Sequence, residues 1–140
     1  MANQMYPCLW FDGQAKAAAE YYCSIFKNSS ILEENPMVVT FELNGNKFMG
    51  LNGGLKYRFT PATSFVIECE TQEEVDYHWN KLGEAGRYDQ CGWLDDKFGV
   101  SWQVVPTVLH ELMADPGKAP RVIEAFMKML KFDIQTLMDA

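Results

Sequence analysis

The chain carries the same succession of patterns twice, and this repeat constrains the fold more than any other feature. Residues 9–26 run from an apolar segment through an Asp-Gly turn into an amphipathic helix pattern, and residues 65–82 repeat the succession with a different turn. Each half then closes with a glycine and an extended segment, at residues 45–49 and 99–103. Repeated supersecondary units of this kind indicate two similar modules, which we expect to form paired half-barrels around a cavity.

Length and composition are compatible with one domain over residues 1–140. The chain is 48% hydrophobic and 14% aromatic, which is enough to bury a core without disulfides. Its apolar runs are far shorter than the roughly 20 residues that span a bilayer, so we expect a soluble protein with no membrane partner. The first seven residues lack the basic region and long apolar segment of a secretory signal, which favours a cytoplasmic location.

Net charge and cysteine spacing argue against nucleic-acid, zinc-binding and redox functions. A formal net charge of −7 repels a phosphate backbone and argues against nucleic-acid binding. The four cysteines include no Cys-x-x-Cys pair, so neither a zinc knuckle nor a thioredoxin-like motif is present. We therefore expect reduced thiols.

Module one, at about residues 4–55, has the patterns of a strand, a helix and three further strands. They predict strands at residues 5–11, 31–33, 37–43 and 47–51 and a helix at residues 14–26. Asn44 and Gly45 join the last two strands, because both tolerate the positive φ of a tight hairpin.

Module two, at about residues 62–106, begins with a strand at residues 64–69. Thr71 and Glu74 form a capping-box pattern that starts a helix ending near Leu82. Strands are predicted at residues 88–94 and 100–105, around a turn at residues 95–99.

The tail, at about residues 107–140, has no counterpart in the first half. A short helix is predicted at residues 108–113 and a longer one at residues 120–138, whose apolar residues form one stripe. We interpret the stripe as core or dimer packing, with a recruiting or membrane-surface role as the alternative.

Several motifs together resemble a known family. They are the segment from Leu9 to Tyr22, Asn52-Gly53-Gly54, Gln90-Cys91-Gly92-Trp93, the segment from Asp96 to Gln103, and the segment from Lys128 to Ile134. They are similar to the PhnB-like branch of the vicinal oxygen chelate, or glyoxalase-like, superfamily, whose members are often labelled demethylubiquinone methyltransferase-like. The resemblance implies an α+β, glyoxalase-like fold of two βαβββ modules forming a curved mixed sheet around a cavity, and a homodimer. Methyl transfer is not implied by the residues, since neither opening strand leads into a glycine-rich loop for a donor.

The resemblance also bears on a metal. Typical superfamily members bind a divalent cation with four side chains, usually His and Glu, at positions that fall at or near Met5, Met49, Ser64 and Gln103 here. Thioethers, a hydroxyl and an amide supply no charge to such an ion, so we predict no metal and no other cofactor. His78 and His110 are predicted to be surface or packing residues, because no second histidine shares either segment.

Strand alternation suggests which side chains line the cavity. Phe65, Ile67 and Cys69 should pack under the helix of module two, which sends Ser64 and Glu68 to the concave face. The predicted ligand-binding residues are Leu9, Phe11, Met49, Leu51, Ser64, Glu68, Ser101 and Gln103. Glu68 is the candidate catalytic residue, because a carboxylate desolvated beside apolar side chains is suited to proton transfer. Its position near the end of the strand favours the alternative, in which the side chain simply reaches water.

Other reactive side chains have structural alternatives. Cys91 is a nucleophile candidate, but a packing thiol is favoured because no neighbouring histidine or cation would lower its pKa. Asp95 and Asp96 are interpreted as turn formers rather than cation ligands.

The sequence thus predicts a metal-free protein that binds a small, largely apolar or aromatic molecule in the cavity of its sheet, with no reaction assigned. The alternatives are a metal-dependent lyase, isomerase or dioxygenase, and a dimeric interaction module.

Overall fold

A computed structural model describes residues 3–140, so the first two residues of the predicted 1–140 domain lie outside the described residues. The chain divides into two compact units, of which one ends at Phe59 and the other begins at Thr60. Each unit holds one βαβββ module with a four-stranded mixed sheet. The predicted α+β class and the pair of modules are confirmed.

Module one follows the predicted order, with one strand shortened. Its elements are β1 (Cys8–Phe11), α1 (Ala15–Ile25), β2 (Ser30–Glu34), β3 (Val38–Leu43) and β4 (Asn46–Asn52). The sheet order is β1-β4-β3-β2, in which β1 runs parallel to β4 and the other pairs are antiparallel. The strand predicted from Met5 begins only at Cys8, and Met5 is 91% exposed.

The core of module one lies between α1 and one face of its sheet. Small side chains let the helix approach closely, since a Cβ on Gly50 would lie 3.1 Å from that of Ala15. Beyond them Tyr22 packs on Phe41 at a ring distance of 6.1 Å, and Phe41 stacks on Phe48 at 5.5 Å. Contacts among these buried rings fix which sheet face the helix covers.

Module two repeats the order and adds the tail. Its elements are β5 (Ser64–Cys69), α2 (Gln72–Gly83), β6 (Arg87–Tyr88), β7 (Trp93–Asp95) and β8 (Ser101–Pro106), in the sheet order β5-β8-β7-β6. The predicted cap of α2 is confirmed, because the Thr71 Oγ1 accepts a hydrogen bond from the Glu74 N–H at 3.2 Å. The Glu74 carboxylate reaches back to the N–H of Glu70 at 3.0 Å.

The tail forms three helices, α3 (Val108–Ala114), α4 (Ala119–Phe126) and α5 (Ile134–Asp139). The prediction of one continuous helix over residues 120–138 is therefore wrong. The carbonyl groups of Met129 and Leu130 accept hydrogen bonds, both 2.8 Å long, from the N–H groups of Cys91 and Gly92, which holds this segment extended. Asp133 then starts α5, because its side chain accepts a hydrogen bond from the Thr136 N–H.

Part of the predicted apolar stripe is buried against module two. Val105, Leu112, Val122, Phe132 and Leu137 form one buried cluster, which confirms core packing for the stripe residues Val122 and Leu137. Ile123, Met127, Leu130 and Met138 remain exposed. Within residues 3–140, none of the helices has the length and apolar character needed to cross a membrane.

Candidate functional site

The sheet of module one has one face covered by α1 and one face that the helix leaves uncovered. Strand register separates them, since Cys8 lies beside Met49 and Trp10 beside Leu51, while Leu9 lies beside Gly50 under the helix. We call the uncovered side the open face of module one. It carries Cys8, Trp10, Val38, Thr40, Met49 and Leu51, with the charged pair Glu42 and Lys47 towards the hairpin.

Leu9 and Phe11 are on the other side, so their predicted placement beside Met49 and Leu51 is wrong. Leu9 is 6% exposed and Phe11 is 2% exposed, and a Cβ on Gly50 would lie 3.4 Å from the Phe11 ring. Residues 9–11 are all large and apolar, so alternation alone does not say which of them pack under the helix. The close approach of Ala15 to Gly50 decides the matter, because it puts α1 over the face on which Leu9 and Phe11 are buried.

Trp10 lies on the open face, where the prediction had placed Leu9 and Phe11. Its indole Nε1 donates a hydrogen bond to the carbonyl of Gly54 at 2.9 Å. Tyr57 packs edge-on against the ring at a centroid distance of 4.9 Å. Gly53 leaves the necessary space, because a Cβ there would lie 2.3 Å from the indole. The Asn-Gly-Gly motif therefore orients an aromatic ring that remains half-buried.

Asn52, the first residue of that motif, fixes the start of α1. Its Oδ1 accepts a hydrogen bond from the Ala15 N–H at 2.8 Å, and its Nδ2 donates to the carbonyl of Pro36 at 3.1 Å. The amide thus joins the end of β4 to the helix and holds the helix over one sheet face.

The rest of the open face of module one is mainly apolar. Met49 and Leu51 are half-buried next to Cys8 and Trp10. Thr40 adds a hydroxyl that is buried and that has no hydrogen-bond partner among residues 3–140. An indole, a thioether and a branched alkyl group are suited to contact flat apolar molecules.

In module two, the predicted separation of faces is confirmed. Phe65 pairs with Trp102 and Ile67 with Val104 on the side of α2, whereas Val66 pairs with Gln103 on the other side. We call that other side the open face of module two. It carries Ser64, Val66, Glu68, Trp93, Asp95, Ser101 and Gln103. Trp93 was not among the predicted ligand-binding residues.

Hydrogen bonds organise the polar groups of this face into two sets. The Gln103 Nε2 donates to the Ser64 Oγ at 3.0 Å. The Ser101 hydroxyl donates to the Asp95 Oδ1 at 2.7 Å, and the Arg87 guanidinium donates to the Asp95 Oδ2 at 3.1 Å. Ser101 is only 1% exposed, so it supports Asp95 rather than offering a surface.

Glu68 lies on the predicted face but in different surroundings. Its side chain is 56% exposed, and its Oε1 lies 3.0 Å from the Nε2 of His110 on α3. The proposed desolvation of Glu68 is therefore wrong, and the favoured alternative, that the side chain reaches water, is confirmed. Its neighbour in the register, Val105, is buried by the tail rather than by a ligand cavity.

The cysteines of module two are packing residues. Burial, with a smaller contribution from Glu74, raises the pKa of Cys69 to about 12, although His78 Nδ1 lies 3.8 Å from its sulfur. Cys91 has a φ of 59° and is half-buried, and its thiol donates to the Phe126 carbonyl at 3.7 Å. Neither thiol has the cationic neighbour that would favour a thiolate nucleophile.

Asp96 makes a turn, as predicted. It is 3% exposed, and its Oδ1 accepts hydrogen bonds from the N–H groups of Phe98 and Val100 at 2.8 and 3.1 Å. Its Oδ2 accepts from the Trp102 Nε1 at 2.9 Å. These three hydrogen bonds connect the turn to β8, so the Asp96 carboxylate has a structural role.

The four positions at which the superfamily places its cation do not fit one. Met5 is exposed ahead of β1, and Ser64 and Gln103 form a hydrogen bond with each other. Hard divalent ions need charged oxygen or nitrogen donors, which a thioether, a hydroxyl and an amide do not supply. Across residues 3–140, no three His, Cys, Asp or Glu side chains are grouped so as to hold a metal.

Comparison with known proteins gives one family match. The family model described as 3-demethylubiquinone-9 3-methyltransferase matches residues 3–105. None of the curated proteins matches the chain significantly.

Solved structures give a consistent picture. The PhnB protein of Bacillus cereus is 33% identical, with a TM-score of 0.68 over 75% of this chain and 100% of that one. The fosfomycin resistance protein FosX of Listeria monocytogenes, solved with manganese(II) and sulfate, is 13% identical, with a TM-score of 0.58 over 81% and 97% of the two chains. A glyoxalase/bleomycin resistance protein of Albidiferax ferrireducens is 11% identical, with a TM-score of 0.52 over 74% and 97%. These likenesses confirm the glyoxalase-like fold.

Proposed function

Because the chain belongs to the 3-demethylubiquinone-9 3-methyltransferase family, the PhnB-like branch of the vicinal oxygen chelate superfamily, we propose that it binds a small, largely apolar or aromatic molecule against the open face of module one, without a metal. The observation that carries the proposal is the half-buried surface of Trp10, Met49 and Leu51. Such side chains are partly accessible and already oriented, which lowers the entropic cost of binding.

The chemistry of module one favours an apolar ligand over a charged one. The open face around Met49 offers a thioether, an indole and an alkyl side chain, and each gains free energy by covering apolar area. A rigid indole, held by Gly54 and Tyr57, supplies a flat contact surface without further ordering.

The family description names a methyltransferase, but we do not extend the proposal to methyl transfer. The segments between β1 and α1 and between β5 and α2 are short turns, at Asp12-Gly13 and Glu70-Thr71, rather than glycine-rich loops. Such loops are what bind the phosphates of nucleotide cofactors at a helix start. Whether the bound molecule reacts is not part of the proposal.

Metal independence is supported by the donor set. The likeness to FosX, which was solved with manganese(II), is 13% in identity and concerns the fold alone. The hydroxyl of Ser64 and the amide of Gln103 are engaged with each other in module two. A lyase, isomerase or dioxygenase that uses an ion to polarise vicinal oxygens would need charged donors in their place.

The homodimer and the cytoplasmic location stay predictions. Exposed apolar side chains on the tail, Ile123 and Met127 of the α4 region among them, support an interface between copies.

The proposal is tested by titrating the protein, purified without added metals, with 2-naphthol in a calorimeter. We expect binding that persists after treatment with a chelator. Met49→Lys, which places a charge on the open face of module one, should weaken binding at least about tenfold, since apolar contact is replaced by a desolvated ammonium group.

Met138→Lys is the matched control, because it makes the same substitution at an exposed methionine of α5. It should bind as the unmodified protein does. Equal weakening in both variants would contradict the assigned face, and loss of binding on chelation, together with a stoichiometric transition metal in the purified protein, would overturn metal independence.

A further inference from the structure

The hydrogen bond between Ser64 and Gln103 has a direction that determines what the open face of module two presents. The amide Nε2 of Gln103 donates and the hydroxyl oxygen of Ser64 accepts, at 3.0 Å. The Ser64 hydroxyl proton therefore points elsewhere, and the Gln103 Oε1 retains its lone pairs. No hydrogen bond to the Gln103 Oε1 is formed by residues 3–140.

The two side chains are positioned by the sheet rather than by chance. Ser64 pairs with Ser101 and Gln103 pairs with Val66, so the two lie diagonally across β5 and β8 on the same face. Both are half-buried, which limits the competing water around the pair. Val66 beside them is exposed and supplies an apolar floor.

The neighbouring polar groups are already engaged. Ser101 donates to Asp95, and Asp95 also accepts from Arg87. The negative charge of Asp95 is thereby compensated within module two. Ser64 and Gln103 are left as a neutral pair that presents one donor and one acceptor.

From this geometry we infer that Ser64 and Gln103 form a recognition site for a neutral group that carries a carbonyl oxygen next to an N–H or O–H, such as a carboxamide or a hydroxyketone. The Ser64 hydroxyl donates to the carbonyl, and the Gln103 Oε1 accepts from the N–H or O–H. An anionic carboxylate has no proton for Gln103 and faces its carbonyl lone pairs, so it binds more weakly. The inference goes beyond the proposed function, because it concerns the open face of module two and the polar group that this face selects.

Three matched naphthalenes test the inference by calorimetry on the full chain. 2-Naphthamide offers both a carbonyl and N–H groups, methyl 2-naphthoate offers the carbonyl without a donor, and 2-naphthoate is charged. We expect the amide to bind about tenfold more tightly than either of the others, the scale of one net hydrogen bond.

Gln103→Leu removes the acceptor at similar volume and should bring the amide to the affinity of the ester. Gln103→Glu should act differently, because the Ser64 hydroxyl would then donate to the carboxylate and no longer face the ligand. That variant should bind the ester at least about threefold more weakly than the Leu variant does, since its carbonyl meets only acceptors.

Ile67→Val, on the side of α2, is the control and should keep the preference for the amide. Thermal unfolding of each variant checks that it folds. Should Gln103→Leu not fold, Ser64→Ala removes the donor instead and should weaken the binding of the amide and of the ester about equally. Equal binding of the three probes, or a preference that survives Gln103→Leu, would overturn this inference alone. Failure of every probe, 2-naphthol included, to bind the unmodified protein would overturn the proposed function and the inference with it.

Discussion

The two modules share an order of elements and differ most on the sheet face that their helix leaves uncovered. In module one that face presents Trp10, Met49 and Leu51, which are apolar. In module two the corresponding face presents a Ser64 and Gln103 pair and an Asp95 carboxylate. The covered faces are apolar in both, because burial under a helix demands it. The two modules are therefore alike in the apolar residues that pack under the helix and differ in the residues of the uncovered face.

The turn before the last strand of each module shows a second difference. Module one uses Asn44 and Gly45, whose φ values of 50° and 85° close a two-residue hairpin. Its side-chain hydrogen bonds, from Asn46 and to Ser29, are neutral and 3.3 Å or longer. Module two uses a longer turn, whose N–H groups need the Asp96 carboxylate as an acceptor. The equivalent turns are therefore stabilised differently, by residues with positive φ in module one and by a buried carboxylate in module two.

The largest effect is expected at the residue that ends the first strand of each module. Phe11→Ala should lower the free energy of unfolding by about 3–5 kcal/mol, because a buried ring leaves a cavity under α1. Cys69→Ala, at the equivalent place under α2, should cost roughly 1 kcal/mol, the scale of one buried methylene group. Urea unfolding followed by circular dichroism measures both. Equal losses would contradict the argument that the cost follows the size of the cavity left under each helix.

The next effect contrasts the two turns. Asp96→Ala should lower stability by about 2–3 kcal/mol, because N–H groups of the turn and the Trp102 indole lose their acceptor. Gly45→Ala should cost about 1–2 kcal/mol, the price of a left-handed residue with a Cβ. Thermal unfolding compares them, with Asp96→Asn as the intermediate case that keeps one oxygen acceptor. A Gly45 variant less stable than the Asp96 variant would reverse the comparison.

The smallest effect depends on pH and concerns the tail, which only module two carries. Hydrogen bonds from Lys131 and then Gln72 lower the pKa of Asp76 below its ordinary 3.8, and those from the N–H and hydroxyl of Thr136 lower the pKa of Asp133. Because the pKa is lower in the folded state, both carboxylates stabilise the fold fully above pH 3.8, and that contribution is lost as the pH falls below this value.

Urea unfolding between pH 6 and pH 3 tests this, with the doubly substituted Asp76→Asn and Asp133→Asn protein as the reference. Stability should fall more steeply with acid in the unmodified protein than in the reference. Parallel curves would show that neither carboxylate helps to hold the tail.

Much of module two could be predicted from its sequence, because the polar residues Ser64 and Glu68 fall on one face by strand alternation and Phe65 and Ile67 fall on the other. Module one offered no such contrast at residues 9–11, and Trp10 was missed for that reason. The repeat could have predicted which residues of module one are covered, since Phe11 and Cys69 each end the strand that leads into a helix. Because Cys69 was predicted to lie under the helix of module two, the equivalent residue Phe11 would have been predicted to lie under α1.

The tail could be predicted only in part. An apolar stripe indicates a helix, but it does not reveal that the carbonyl groups of Met129 and Leu130 bond to Cys91 and Gly92, far away in the sequence. A local signal was available in Asp133 and Thr136, which match a helix start and imply a break before it. The exposure of Glu68 likewise depends on α3, whose position no strand pattern gives.

The hydrogen bonds from Cys91 and Gly92 to the tail determine where the chain can be divided into fragments. The family match stops at residue 105, yet a fragment cut there would strip the covering from Val105 and leave two amides without acceptors. The homology boundary and the smallest autonomous folding piece are therefore different. Expression trials of isolated halves should extend the second one through α5.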